Sequence, residues 1–133
     1  MPPRHVRYIL AAALVVVATV AAACRDDETS MPPTSEATPP PAQEVTEVPD
    51  GATVVDQVSL QFVPDELVVS LGEDIYFLNS ERTPHTVTIN GENVSGAMGE
   101  GDVVVWTPLA PGVYRVTCDF HRYMDATITV AGD

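Results

Sequence analysis

From Ala52 onward the chain alternates apolar and polar residues, the period-two signature of strands buried on one face. Val58, Leu60 and Phe62 alternate until Pro64-Asp65 breaks the run, and Leu67-Val68-Val69 leads into a Leu71-Gly72 turn. Ile75, Phe77 and Asn79 share one face, and Val87 and Ile89 share another before Asn90-Gly91, a hairpin turn signal. Runs at 102–106, 112–118 and 125–130 complete the set. No stretch carries a helical period. Short strands at this spacing, separated by Gly, Pro and Asn, predict an all-β domain over residues 52–133. The expected form is an antiparallel Greek-key β-sandwich of about seven to eight strands.

The first 51 residues follow a different pattern. Arg4 and Arg7 precede an apolar run over 8–23 that ends in Ala21-Ala22-Ala23-Cys24. A basic start, a short apolar stretch and small residues before a cut predict a signal peptide over 1–23. The run is shorter than the roughly 20 residues that span a bilayer. Cys24 stands where a bacterial lipoprotein signal places its lipidated cysteine, with Ala21 three residues before it. Residues 25–51 hold six of the twelve prolines and seven acids, with hardly any large apolar side chain. Such a segment cannot offset its ordering entropy by burial, so 24–51 is expected to be a lipid-anchor cysteine followed by a disordered linker. As a flexible chain it would reach roughly 30 Å. These features predict export to a bacterial cell envelope, on the periplasmic or extracytoplasmic face of the membrane.

Charge narrows the function classes. The 133 residues carry 6 Arg, no Lys and 19 acids, a net charge of −13 at a pI near 4.2. Binding to a nucleic-acid backbone depends on Lys and Arg at the phosphates and is not expected here. A P-loop or a Schiff-base mechanism needs a lysine and is excluded. Without 1–23 the net charge becomes −15, and the domain from Ala52 holds 12 acids against 3 Arg. That excess would steer the domain toward a basic partner, or simply keep it soluble.

The remaining chemistry is concentrated in two places. Beyond the signal the only histidines are His85 and His121, and the only cysteine inside the domain is Cys118. They fall in Thr-Pro-His85-Thr-Val-Thr-Ile and Val-Thr-Cys118-Asp-Phe-His121-Arg-Tyr-Met124. On the strand ending at Cys118, Arg115 must face water, so Tyr114, Val116 and Cys118 face the core. By the same parity His85 points inward with Val87 and Ile89, and Thr86 and Thr88 point outward. One thiolate, two imidazoles and a weakly held thioether suit copper in a trigonal arrangement with a long axial Met. Met98 in the 96–101 loop is the alternative thioether. Cys with two His also suits zinc, yet no general base accompanies them, so a hydrolase is not expected. Asn93-Val94-Ser95 matches a glycosylation sequon, which behind a bacterial-type signal is read as chance.

In order and spacing these residues resemble the cupredoxins, the blue copper proteins, most closely the amicyanin/plastocyanin-like branch. The likeness runs from about Val55 to Val130. It includes Phe62-x-Pro64, Leu67-x-Val69, Gly72, Ile75-x-Phe77-x-Asn79, Pro84-His85-x-Val87, Gly112-x-Tyr114-x-x-x-Cys118 and the C-x-x-H-x-x-M loop. The resemblance implies one copper ion cycling between Cu(I) and Cu(II), with His85, Cys118 and His121 as equatorial ligands and Met124 as the axial one. It implies a single-electron carrier rather than an enzyme, with His121, Phe120, Tyr123 and Pro84 forming the patch where electrons leave. Leu109 and Pro111 are expected around the same patch. Redox proteins, including a basic cytochrome or oxidase, are the implied partners of a monomeric, lipid-anchored domain. A copper chaperone or scavenger is the alternative function, and a metal-free interaction module a third. Two positions depart from the family pattern: Thr86 stands where many relatives have Asn, and Phe120 where several have Pro.

Overall fold

The computed structural model describes residues 38–132, and the signal, Cys24 and most of the expected linker lie outside them. Ten strands follow in order: β1 Gln43–Val45, β2 Thr53–Val58, β3 Gln61–Val63, β4 Glu66–Ser70, β5 Ile75–Asn79, β6 Thr88–Ile89, β7 Glu92–Asn93, β8 Val103–Trp106, β9 Gly112–Thr117 and β10 Asp125–Ala131. There is no helix among the described residues. The strands form two five-stranded sheets, ordered β1-β8-β5-β2-β3 and β4-β10-β9-β6-β7.

The sandwich is mixed rather than wholly antiparallel. β2 pairs with β5 in parallel, and β4 pairs with β10 in parallel; the remaining pairs are antiparallel. A parallel pair needs a crossover. The chain supplies one by leaving the first sheet after β3, forming β4 in the second, and returning as β5 beside β2.

Side-chain parity builds the core between the sheets. β5 buries Ile75, Phe77 and Asn79, and β10 buries Ala126, Ile128 and Val130. Each large apolar side chain fully buried this way is worth about 1.5–3 kcal/mol. Trp106 of β8 meets Tyr114 of β9 across the two sheets, edge to face, with ring centroids 5.1 Å apart. Phe62 and Phe77 make a similar contact at 6.4 Å.

Three sequence expectations change. The Val58-Leu60-Phe62 alternation is two strands, because Ser59 and Leu60 both take positive φ (56° and 58°) and turn the chain, leaving Leu60 exposed. The stretch 38–51, expected to be disordered linker, contains β1, which pairs with β8. Its anchors are the Trp106 indole N–H, donating to the Pro40 carbonyl at 3.1 Å, and the Ala42 N–H, donating to Val94 O at 3.1 Å. Packing from outside the segment thus orders a sequence with little apolar content of its own. Leu109 and Pro111, finally, precede β9, whose C-terminal end leads into Cys118. Six residues of strand span roughly 20 Å, so they sit at the opposite end of the sandwich from the expected patch. At that far end Gly72 N–H donates to Pro108 O, and Gly132 packs on Pro111.

Candidate metal centre

β5 ends, β9 ends and β10 begins at one end of the sandwich, so the 80–87 and 118–124 connections meet there. His85 is held by an isolated bridge to Met98: its N–H donates to Met98 O at 3.1 Å, and Met98 N–H donates back at 2.8 Å. The Asn79 side chain shapes the loop before it, donating to Thr83 O and Met98 O, each at 3.0 Å, and accepting from Glu81 N–H. The Met98 sulfur accepts from the Gln57 amide at 3.3 Å. Met98 is therefore engaged as a backbone partner of His85, with its thioether directed to β2.

The second connection closes on itself. Cys118 N–H donates to Met124 O at 3.2 Å and Met124 N–H to His121 O at 3.0 Å, so the loop from Cys118 to Met124 is tightly pinned. Cys118 and Met124 are buried, and His121 keeps part of its ring at the surface.

Three donor atoms converge between these connections. His85 Nδ1 lies 3.2 Å from His121 Nδ1 and 3.7 Å from Cys118 Sγ, and His121 Nδ1 lies 3.5 Å from Cys118 Sγ. A point about 2.0 Å from all three corners lies inside this triangle, the distance range of nitrogen ligands to a bound metal ion. All three residues group as a potential metal site. One sulfur and two imidazole nitrogens, two of the three residues buried, fit a thiophilic ion that needs few ligands.

Glu81 fixes which nitrogen of His85 faces that point. Its Oε1 lies 2.6 Å from His85 Nε2. A carboxylate accepts, so the ring proton sits on Nε2 and the Nδ1 lone pair faces the sulfur. The same carboxylate accepts from Ser59 N–H at 2.9 Å and Leu60 N–H at 3.2 Å, tying the β2–β3 turn to the site. The His85 hydrogen bond is the main cause that holds the Glu81 carboxyl below its ordinary value; partial burial opposes it, and the Leu60 and Ser59 N–H groups reinforce it. Glu81 was not singled out in the sequence. Its place four residues before an inward His was the available signal.

Thr86 and Thr88, expected to face water, are buried. Thr86 N–H donates to Cys118 Sγ at 3.4 Å, its hydroxyl lies 3.9 Å from the same sulfur, and Asp119 N–H donates to that hydroxyl at 2.8 Å. The hydroxyl thus ties the two ligand connections together. Parity fails here because these side chains face the neighbouring connection instead of solvent.

The surface around His121 is apolar. Thr83, Pro84, Phe120 and His121 line a shallow cavity of about 240 Å³. Phe120 is 55% exposed, and its ring meets His121 edge to face with centroids 6.5 Å apart. Tyr123 is 89% exposed and lines a separate cleft with Pro64, Met124 and Asp125. Pro84, Phe120 and His121 therefore form one patch, whereas Tyr123, expected in it, lines the other cleft.

Among the described residues, fold and site together define a β-sandwich with one soft-ligand donor cluster at one end. The chain belongs to the cupredoxin-like domain family, whose model matches residues 9–130. It is 34% identical over 89 residues to plastocyanin of Ulva prolifera, covering 56% of this chain and 91% of that one. It is 30% identical over 94 residues to amicyanin of Paracoccus denitrificans, covering 63% of this chain and 69% of that one. Among solved structures, a reduced amicyanin variant superposes with a TM-score of 0.62 at 27% identity, covering 71% of this chain and 97% of the other. The Cu(I) form of a second amicyanin variant superposes at 0.63 with the same identity and coverage.

Proposed function

We propose that this protein carries single electrons between redox proteins, with His85, Cys118 and His121 as the residues that would hold one copper ion and Met124 as a further, weak donor. The observation that carries the proposal is the triangle of two Nδ1 atoms and one Sγ, with sides of 3.2–3.7 Å, on a buried frame. Copper bound there supplies a one-electron Cu(I)/Cu(II) couple. The protein's part is to keep the donors still. Glu81 holds the His85 ring in one tautomer, Thr86 supplies an N–H to the Cys118 sulfur, and two backbone bonds close the Cys118–Met124 loop. Donors fixed this way need little rearrangement when the charge changes, as a carrier requires.

The His121 edge, in its apolar patch with Phe120 and Pro84, is the electron exit, and Tyr123 extends the contact area. Partners are redox proteins, and the acidic body favours a cytochrome or oxidase with a basic face. The protein works as a monomer and catalyses no reaction of its own. Export by residues 1–23 and membrane attachment through acylated Cys24 complete the proposal. Cys24→Ser would release the protein from the membrane fraction if lipid is its anchor.

The test combines voltammetry with metal retention. Copper-loaded protein is expected to show a reversible one-electron wave over repeated cycles and to keep its copper when mixed with a metal-free Cu(I) acceptor. Rapid loss of copper to the acceptor, with no stable Cu(II) form, would favour the chaperone function.

A further inference from the structure

Beside the ligands lies a second polar chain that runs inward from the β6–β7 hairpin. Asn93 Nδ2 donates to Asp119 Oδ2 at 2.8 Å, and Thr88 Oγ1 donates to Asp119 Oδ1 at 2.6 Å. Thr88 Oγ1 lies 3.4 Å from Thr86 Oγ1, which is 3.9 Å from Cys118 Sγ. Thr86 Oγ1 also accepts the Asp119 N–H at 2.8 Å. Both threonines are buried, and Asn93 is itself fixed by accepting Gly96 N–H at 2.8 Å.

Proton counting gives this chain a direction. A carboxylate only accepts, and a threonine hydroxyl has one proton. Asp119 takes the Thr88 proton, so Thr88 can present only lone pairs to Thr86. Asp119 N–H fills a lone pair of Thr86, so the single Thr86 proton turns toward Thr88 or toward the Cys118 sulfur. Thr88 cannot reverse without leaving the Asp119 carboxylate facing its lone pairs, and Thr86 cannot turn its proton to the Asp119 N–H without setting donor against donor, each at a cost of about 1–3 kcal/mol. Asp119 therefore orients the Thr86 hydroxyl beside the sulfur, directly through its backbone N–H and through Thr88 by its side chain.

We propose that Asp119 is a positioning residue that, directly and through Thr88, fixes the Thr86 hydroxyl beside the Cys118 sulfur and so shifts the balance between Cu(I) and Cu(II). The proposal rests on the carrier function above. Its carboxylate side adds negative potential beside the thiolate, which favours Cu(II). The Thr86 donors withdraw electron density from the sulfur, which favours Cu(I). The two halves of one network thus push the couple in opposite directions.

The experiment compares Asp119→Asn, Thr86→Val and Thr88→Ser by voltammetry and by the visible spectrum of the Cu(II) protein. Asp119→Asn is expected to shift the equilibrium at least threefold toward Cu(I), about 28 mV at 59 mV per tenfold for one electron. Thr86→Val is expected to shift it toward Cu(II) by a similar factor, and Thr88→Ser is expected to match the parent. In the metal-free protein, amide exchange at Asp119 is expected to speed up in Thr86→Val, a readout independent of copper. Shifts of the same sign in both variants, or potentials unchanged while only the melting temperature falls, would overturn the proposal. A parent protein that binds no Cu(II) would instead overturn the carrier function and leave the amide-exchange result standing by itself.

Discussion

His85 and His121 offer the same atom to the same point, yet their surroundings differ throughout. His85 is 0% exposed, bridged to Met98 through its backbone and bonded to Glu81 through Nε2. His121 sits in a seven-residue loop pinned by two backbone bonds, with Phe120 and the Pro84 cavity beside its exposed part. One imidazole belongs to the core and the other to the surface. A site that exchanges electrons without releasing its metal needs both kinds, a ligand that cannot move and one that a partner can approach.

Removing each ring in turn breaks the comparison most severely. His85→Ala is expected to abolish copper binding and to cost about 2–5 kcal/mol of metal-free stability, because it opens a cavity under the sheets and strands the Glu81 contact. His121→Ala is expected to cost about 1 kcal/mol or less, and added imidazole should enter the opened position and restore coloured Cu(II) protein. Thermal melts and imidazole titration distinguish them. Equal destabilisation, or rescue of His85→Ala by imidazole, would erase the distinction.

Glu81→Gln sharpens it at smaller amplitude. An amide cannot accept from His85, Leu60 and Ser59 at once, because one of its two ends is a donor. Loss of such an outer hydrogen bond is expected to weaken copper binding about 10–100-fold, read by competition with a chelator. The fold should remain intact.

The smallest effect lies at the opposite end of the sandwich. The Glu73 carboxyl is held below its ordinary value chiefly by the Thr53 hydroxyl at 2.6 Å, helped by Ser70 N–H at 3.1 Å. A lowered value in the folded state means that this contact contributes fully above pH 4.5, the ordinary value, and fades as the pH falls through the folded one. Glu73→Gln is therefore expected to flatten the acid side of the melting-temperature profile of metal-free protein below about pH 4.5 without changing its copper spectrum.

Much of this was legible in the sequence because strand parity reports burial wherever one face meets the core. It grouped Ile75, Phe77 and Asn79 on one face of β5 and identified the inward face of β9, and it brought His85 and Cys118 inward at strand ends. It failed where burial has another source. Ser59 and Leu60 turn with positive φ although neither is Gly or Asn, and the Glu81 carboxylate caps their N–H groups. β1 has one apolar residue in three and is ordered by contacts from Trp106 and Val94, far along the chain. Thr86 and Thr88 alternate correctly, but the face they occupy is covered by the 118–124 connection. Glu81 and Asp119 looked like two more acids on an acidic surface; only the tertiary arrangement gives each a hydrogen-bonded role beside a ligand.

His85, Cys118 and His121 would hold one copper ion, with the Cys118 thiolate as its sulfur ligand. Titrating Cu(II) into the purified protein while recording the visible spectrum tests it most directly. An intense thiolate-to-copper charge-transfer band is expected, saturating at one equivalent and absent from Cys118→Ala. A colourless complex, or a band that survives Cys118→Ala, would contradict it.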